Sequence, residues 1–190
     1  MMKDFFKFRL KAISVPSPRL VRDISKLINN PELSDVTFIV EGKQVYANRA
    51  ILAVRSEYFL VMLNNGMRES MDKDAPIELE DVSYDIFMKV LEYLYTDDVL
   101  NTKCTTLAEA LSLLVLSERF MLDRLKSLCE EIIRRDMVIE NVIEIFIASH
   151  RHRALSLKDL ALEFILSHLE NPEIITGLTV RFHVYYVIAP

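Results

Sequence analysis

Apolar residues recur along this chain with spacings that change from segment to segment, and each change marks an element. In SPRLVRDISKLIN (17–29), Leu20, Val21, Ile24, Leu27 and Ile28 fall at i, i+1, i+4, i+7 and i+8, one stripe of a helix. Asn30-Pro31 stops it. DVTFIV (35–40) is β-branched and aromatic; Glu41-Gly42 and KQVYA (43–47) follow, which predicts a two-stranded hairpin closed on a glycine turn. Val36, Phe38 and Val40 then share one face, and Thr37, Ile39 and Glu41 the other.

The helical period returns afterwards. NRAILAVR (48–55) predicts a short helix, and SEYFLVMLNN (56–65) a second, capped by Ser56 and ended by Gly66. Residues 67–75 are polar and unpatterned, a loop, and PIELE (76–80) is a strand. From Ser83 to Tyr95, Ile86, Phe87, Val90, Leu91 and Leu94 line one helical face. Thr106-x-x-Glu109 is a capping box opening LAEALSLLVL. A helix over 121–135 closes on Arg134-Arg135, favourable charges for a helix C-terminus. Two more are expected near 139–150 and 156–169, the latter capped by Ser156-x-x-Asp159. The tail LTVRFHVYYVIAP (178–190) is β-prone and carries Arg181 as its single charge. Exposed, it would be sticky, so it is expected to pack against a surface or to be the end of a longer design. The fold class is α+β: a small mixed sheet flanked by a helical cluster, without the regular alternation of a doubly wound sheet.

Composition narrows function by exclusion. The 190 residues are 51% apolar and 27% charged, a globular balance. Gly42, Gly66 and Gly177 are too far apart to build a phosphate-binding loop, a dinucleotide fingerprint or a nucleophile elbow. Cys104 and Cys129 make neither a disulfide framework nor a zinc cluster and suit a reducing compartment. Residues 1–30 hold seven Lys/Arg against two Asp; residues 31–135 are net −7 and residues 136–190 net −3. The acidic body argues against a nucleic-acid surface. The basic head is either a solvated leader or a contact for an anionic partner. The first fifteen residues break their apolar run with charges, unlike a secretory signal, and no run approaches a membrane span, so the expected location is cytoplasmic or nuclear.

Candidate chemistry is sparse. His150 and His152, two apart, do not share a helical face and make a poor metal pair. His168 and His183 stand alone. Cys129 lies among Leu122, Leu125, Leu128 and Ile132 and is expected to be a buried, inert thiol. Cys104 sits in a polar connection with no neighbour to lower its pKa. The acid pairs Asp72/Asp74, Glu80/Asp81 and Asp97/Asp98 fall in loops and are expected to be solvated, and Glu78 is expected to point to solvent on a strand edge. No catalytic constellation, metal site or cofactor site emerges, which leaves surfaces for partners. The first helix is the clearest, either folded back on its own core or meeting a symmetry mate.

SDVTFIVEGKQVYANRAILAVRSEYFLVMLNNGMRES (34–70) resembles the BTB/POZ domain: an Asp after a small residue, a hydrophobic strand, a glycine turn, an aromatic-Ala-x-Arg step and a Leu-Ala-x-x-Ser-x-x-Phe run. The likeness continues through residues 77–99 and 107–133, and residues 137–170 resemble the opening helix pair of the BACK region. The implied organisation is a basic leader over 1–17 that could supply a swapped strand, a BTB/POZ domain over 18–135, partial BACK-like helices over 136–172 and a tail over 173–190.

The resemblance implies a homodimer built on the first helix, with Leu20, Val21, Ile24, Leu27 and Ile28 at the interface. Asp35 and Arg49 stand where the family keeps an acid and a base near it. If they pair in a dry site, removing one should cost about 3–5 kcal/mol; otherwise Asp35 ends a turn and Arg49 lies on the surface. Asn48 stands where the family usually has His. The resemblance also implies cullin-3 binding: Met67-Arg68-Glu69 matches the hydrophobic-x-Glu motif of family adaptors, and Phe120 occupies the place of an aromatic used beside it. The implied role is a homodimeric, non-enzymatic substrate adaptor of a cullin-3 RING ubiquitin ligase, with an unidentified protein substrate. The alternative is a BTB oligomerisation or scaffold module that recruits co-repressors or competes with longer adaptors and binds no cullin.

Overall fold

The computed structural model describes residues 17–64, 75–98 and 106–187, from residue 180 onward by the backbone alone. The chain begins with α1 (Leu20–Ile24), which tightens into a 3-10 turn over Ser25–Leu27. The regular helix is shorter than its apolar stripe. Asn29 is left-handed at φ 51°, and the backbone is already extended at Ile28, two residues before Asn30-Pro31.

The hairpin forms as expected from β1 (Val36–Val40) and β2 (Lys43–Ala47), with Val36 opposite Ala47 and Val40 opposite Lys43. Glu41 and Gly42 both have positive φ, 50° and 73°, the turn whose twist suits a two-residue hairpin. β3 (Ile77–Glu78) is much shorter than PIELE and lies parallel to β1, giving the order β2-β1-β3. Val36, Phe38 and Val40 are buried while Thr37 and Ile39 are half-covered, so the period-two pattern was a sound guide to the faces. Glu78 is exposed on the edge strand.

Helices pack over the buried face. α2 (Arg49–Arg55) and α3 (Glu57–Asn64) meet at Ser56. Its buried hydroxyl accepts the N–H of Phe59 at 3.3 Å and donates to the carbonyl of Phe120 at 2.8 Å. α4 (Tyr84–Thr96) buries the stripe Ile86, Phe87, Val90, Leu91 and Leu94. α5 (Leu107–Arg119) opens on the expected capping box: Thr106 Oγ1 accepts the Glu109 N–H, and Glu109 Oε2 accepts the Thr106 N–H at 3.0 Å. With those bonds and Lys89 nearby, the Glu109 carboxyl is held below its usual range.

α6 (Asp123–Arg135) packs against α5, and α7 (Val142–Arg151) and α8 (Leu155–Ser167) form a second pair. α7 starts later than residue 139, because Asn141 Oδ1 takes the Val138 N–H at 2.8 Å and ties that stretch into a turn. Ser156 does not cap α8. Arg153 is left-handed, buried Ala154 bonds its N–H to the Ser149 carbonyl, and the helix begins at Leu155 with no side-chain cap.

The tail is helical despite its β-prone composition. Residues 178–187 belong to α9 (Pro172–Val187) and are helical, not extended. Asn171 Oδ1 accepts the Glu173 N–H at 2.8 Å, Pro172 occupies the first helical position, and Ile174 is buried. A helix so started carries through residues with modest β preference. α9 lies against α7 at Gly177, where a Cβ would collide with the side chain of Ile143. Among the described residues no helix is long and apolar enough to cross a membrane.

Candidate interaction surface

α1, α2 and the C-terminal end of α4 enclose an open groove of about 440 Å³, lined almost wholly by apolar surface. Leu20, Val21 and Ile24 form one wall, Ile51 and Val54 the other, and Leu94 and Tyr95 lie at its base. The groove is wide open to water: Leu20 is 72% exposed, Val21 54% and Val54 85%. α2 is short, and Leu52 alone of its side chains is buried. Ala50 and Val54 lie on the exposed far side of the helix, with half-buried Ile51 between the faces, so the helix is apolar on both faces. Scattered exposed apolar residues are ordinary, but a contiguous set on two adjoining helices marks a contact surface.

Of the residues expected at a dimer interface, Leu20, Val21 and Ile24 line this groove. Leu27 and Ile28 are half-buried and pack on the core beneath it. Asp35 and Arg49 are joined through the backbone. Asp35 Oδ1 accepts the Arg49 N–H at 2.7 Å, and Arg49 Nε donates to the Asp35 carbonyl at 3.2 Å. Asp35 is exposed and Arg49 half-exposed, so the site is not dry and the large cost of an orphaned buried charge does not apply. The carboxylate instead covers a free N–H at the start of α2. Asn48, just before that helix, donates its side-chain amide to the Leu33 carbonyl. The Tyr95 hydroxyl accepts the Asn48 N–H at 2.7 Å and donates to Asn48 Oδ1 at 3.1 Å. Asn therefore meets the structural demands of the position with no imidazole.

One end of the groove is closed by a charged clasp that the sequence did not announce. Asp97, left-handed at φ 61°, ends α4 and takes Arg55 from α2 on one oxygen; Arg124 Nε of α6 lies 3.0 Å from the other. Arg55 Nε also donates to the Leu94 carbonyl at 3.2 Å, and its guanidinium lies over the Tyr93 ring. The bond from Arg55, then the two nearby cations, hold the Asp97 carboxyl below its ordinary value. Asp97 is thus not the freely solvated loop acid expected.

The cullin-linked residues divide. Met67 and Glu69 lie outside the described residues, as do Gly66, Cys104 and the Asp72/Asp74 pair. Phe120 is described and is 0% exposed. Its ring lies 4.9 Å from Phe59, 5.2 Å from Tyr58 and 6.2 Å from Phe87, so it is a core residue without a surface to offer a partner in this conformation. What it supports is α3, whose outer face exposes Leu60 and Val61.

Cys129 is buried, and burial followed by the charge of Glu130 pushes its thiol up to about 12. His150 is exposed and His152 half-buried at the end of α7, where burial lowers the His152 pKa. His168 stacks on Phe164. Among the described residues no group of three or more His, Cys, Asp or Glu side chains is placed to hold a metal ion.

A 34% identical relative, the Arabidopsis thaliana "ARM repeat protein interacting with ABF2", matches over 146 residues, 76% of this chain. The chain spans only 19% of that relative's length. Among solved structures, the BTB (Tramtrack and Bric a brac) domain of human gigaxonin is 22% identical with a TM-score of 0.49, over 64% of this chain and 97% of that one. The family model for the BTB/POZ domain matches residues 24–136, more than half of the chain and ending just before α7. With its three-stranded mixed sheet and surrounding helices, the chain belongs to the BTB/POZ domain family of protein-interaction modules.

Proposed function

We propose that this protein is a homodimer that serves as a substrate-adaptor subunit of a cullin-3 RING ubiquitin ligase. The observation that carries the reading is the open apolar groove between α1 and α2, with Leu20, Val21 and Val54 left in water. A second copy presents the same patch, so the two can cover each other across a two-fold axis and close without leaving a free face. Removing such side chains from water stabilises by about 1.5–3 kcal/mol for each one fully covered.

Cullin binding rests on the sequence and the family. Met67-Arg68-Glu69 comes three residues after Asn64 in sequence and offers a flexible apolar side chain and a charge. Leu60 and Val61 of α3 extend that apolar character onto the described surface. The α7–α8 pair takes the part of a BACK-like extension beside the BTB domain. No covalent chemistry is assigned to the chain: it brings a ligase and a protein substrate together. The Arabidopsis relative is named for its interaction with ABF2, which fits a module that gathers proteins.

The test is a pull-down and titration of the purified chain against the cullin-3 N-terminal domain. Low-micromolar or tighter binding, weakened by Glu69→Lys with the thermal unfolding unchanged, supports the adaptor role. An intact dimer that does not bind the cullin domain removes that role and leaves a scaffold.

A further inference from the structure

α8 has two apolar faces and uses one. Leu157, Ala161 and Ile165 turn into the core. Leu155, Leu162, Leu166 and, just past the helix end, Leu169 are exposed, Leu155 to 67% and Leu166 to 58%. At about 100° per residue these four leucines fall within about 60° of arc, a stripe of their own about four turns or 21 Å long. The adjoining arc carries Asp159, Glu163 and Glu170, all exposed. Among the described residues none of these three acids is in an ion pair. Half-buried Lys158 borders the opposite flank. A contiguous apolar stripe of this kind marks a contact surface.

The acid row selects among occupants. It repels an anionic surface. A second copy of α8 fits poorly: packed antiparallel about a two-fold axis it sets acid row beside acid row, and packed parallel it offers Lys158 alone to three carboxylates. A helix of complementary pattern meets both demands, with apolar side chains at i, i+4 and i+7 over the leucines and lysines or arginines on the flank that faces the acids. We infer that the outer face of α8 docks an amphipathic helix of about four turns, cationic along one flank, carried by another protein. The site uses neither the α1–α2 groove nor Met67-Arg68-Glu69, so it stands apart from the dimer and the cullin readings.

The probe is a fluorescein-labelled synthetic peptide of about 18 residues, with leucines on one helical face and lysines on the adjoining flank, beside a counterpart with glutamates in place of the lysines. Fluorescence anisotropy against the full chain at low salt should show saturable binding of the lysine peptide and about tenfold weaker binding of the glutamate peptide. Leu162→Ser/Leu166→Ser should weaken the lysine peptide about tenfold with the circular dichroism unchanged, since both side chains are exposed. Asp159→Lys/Glu163→Lys should invert the preference between the two peptides. Leu20→Asp/Val54→Asp, which alters the α1–α2 groove, should leave the peptide affinity as it was. Failure of the lysine peptide to bind, an affinity indifferent to the α8 charge reversal, or an affinity lost with the groove substitutions overturns the proposal. So does a sedimenting mass that drops in Leu162→Ser/Leu166→Ser, the mark of a second copy on this face.

Discussion

Phe120→Ala separates a ring that supports a surface from a ring that is part of one. Phe120 is wholly buried, with Phe59, Tyr58 and Phe87 around it at centroid distances of 4.9, 5.2 and 6.2 Å. Truncation removes its transfer free energy and leaves a cavity that three rigid rings fill poorly, a loss of about 3–5 kcal/mol. Each favourable ring pair adds about 0.5–1.5 kcal/mol beyond burial, which places the value toward the upper end. Domains hold about 5–15 kcal/mol in total, so the variant should approach its folding threshold. At about 2–4 °C per kcal/mol for a chain of this size, its midpoint should fall by about 6–20 °C. Urea and thermal unfolding followed by circular dichroism measure this. Phe120→Leu refills much of the space and should lose less than Phe120→Ala; if the chain binds cullin-3 as proposed, the folded variant should keep that affinity. A loss below about 1 kcal/mol for Phe120→Ala refutes the packing argument. Equal loss of binding in both variants at unchanged stability would mean the ring contacts the partner directly.

Other expectations follow from the polar pins and the titrating groups. Tyr95→Phe strips the partner from the Asn48 N–H and should cost about 1–3 kcal/mol in urea unfolding. Asp97→Asn keeps a residue tolerant of the left-handed turn but releases Arg55 and Arg124. Its cost should be about 1 kcal/mol at low salt and shrink as salt rises; a salt-independent loss would count against the clasp. Cys129, with its thiol pushed up to about 12, should resist iodoacetamide at pH 8 while folded and react in denaturant, as peptide mass spectrometry can read. The bonds from Arg134 and then Arg135 lower the Glu131 carboxyl from 4.5 to about 2. Its folded value lies below its unfolded one, so its contribution is complete above about pH 4.5 and fades as pH falls through about 2. Carboxyl NMR titration should place that midpoint near 2, and Glu131→Gln should flatten stability over that window.

Local physics made much of the fold legible. The Glu41-Gly42 turn, the alternation in β1, the α4 stripe and the Thr106/Glu109 box each depend on residues within a few positions of one another, and each stands as expected. The expectations that failed depended on distant partners or on weak preference. Asp97 looked like loop charge because its arginines lie 42 and 27 residues away. The burial of Phe120 was not legible locally, because the three rings that enclose it come from α3 and α4. The 178–187 stretch has β-prone composition, but Asn171-Pro172 starts a helix and packing at Gly177 gives it a place to lie. Ser156 had a capping sequence, yet the left-handed Arg153 set the helix start one residue early. For the groove, the stripe Leu20-Val21-Ile24 was readable, whereas Val54 was not. Its signal was a two-faced α2, with Ala50 and Val54 opposite Leu52, visible once that helix is drawn with its actual bounds.

Sedimentation equilibrium at micromolar concentration tests most directly whether two copies join through the α1–α2 groove. The unmodified chain should sediment at twice its 22.1 kDa, and Leu20→Asp/Val54→Asp should sediment as a single copy with its circular dichroism spectrum intact. A chain that sediments at 22.1 kDa without those substitutions, or a doubly substituted chain that remains a dimer, contradicts the account.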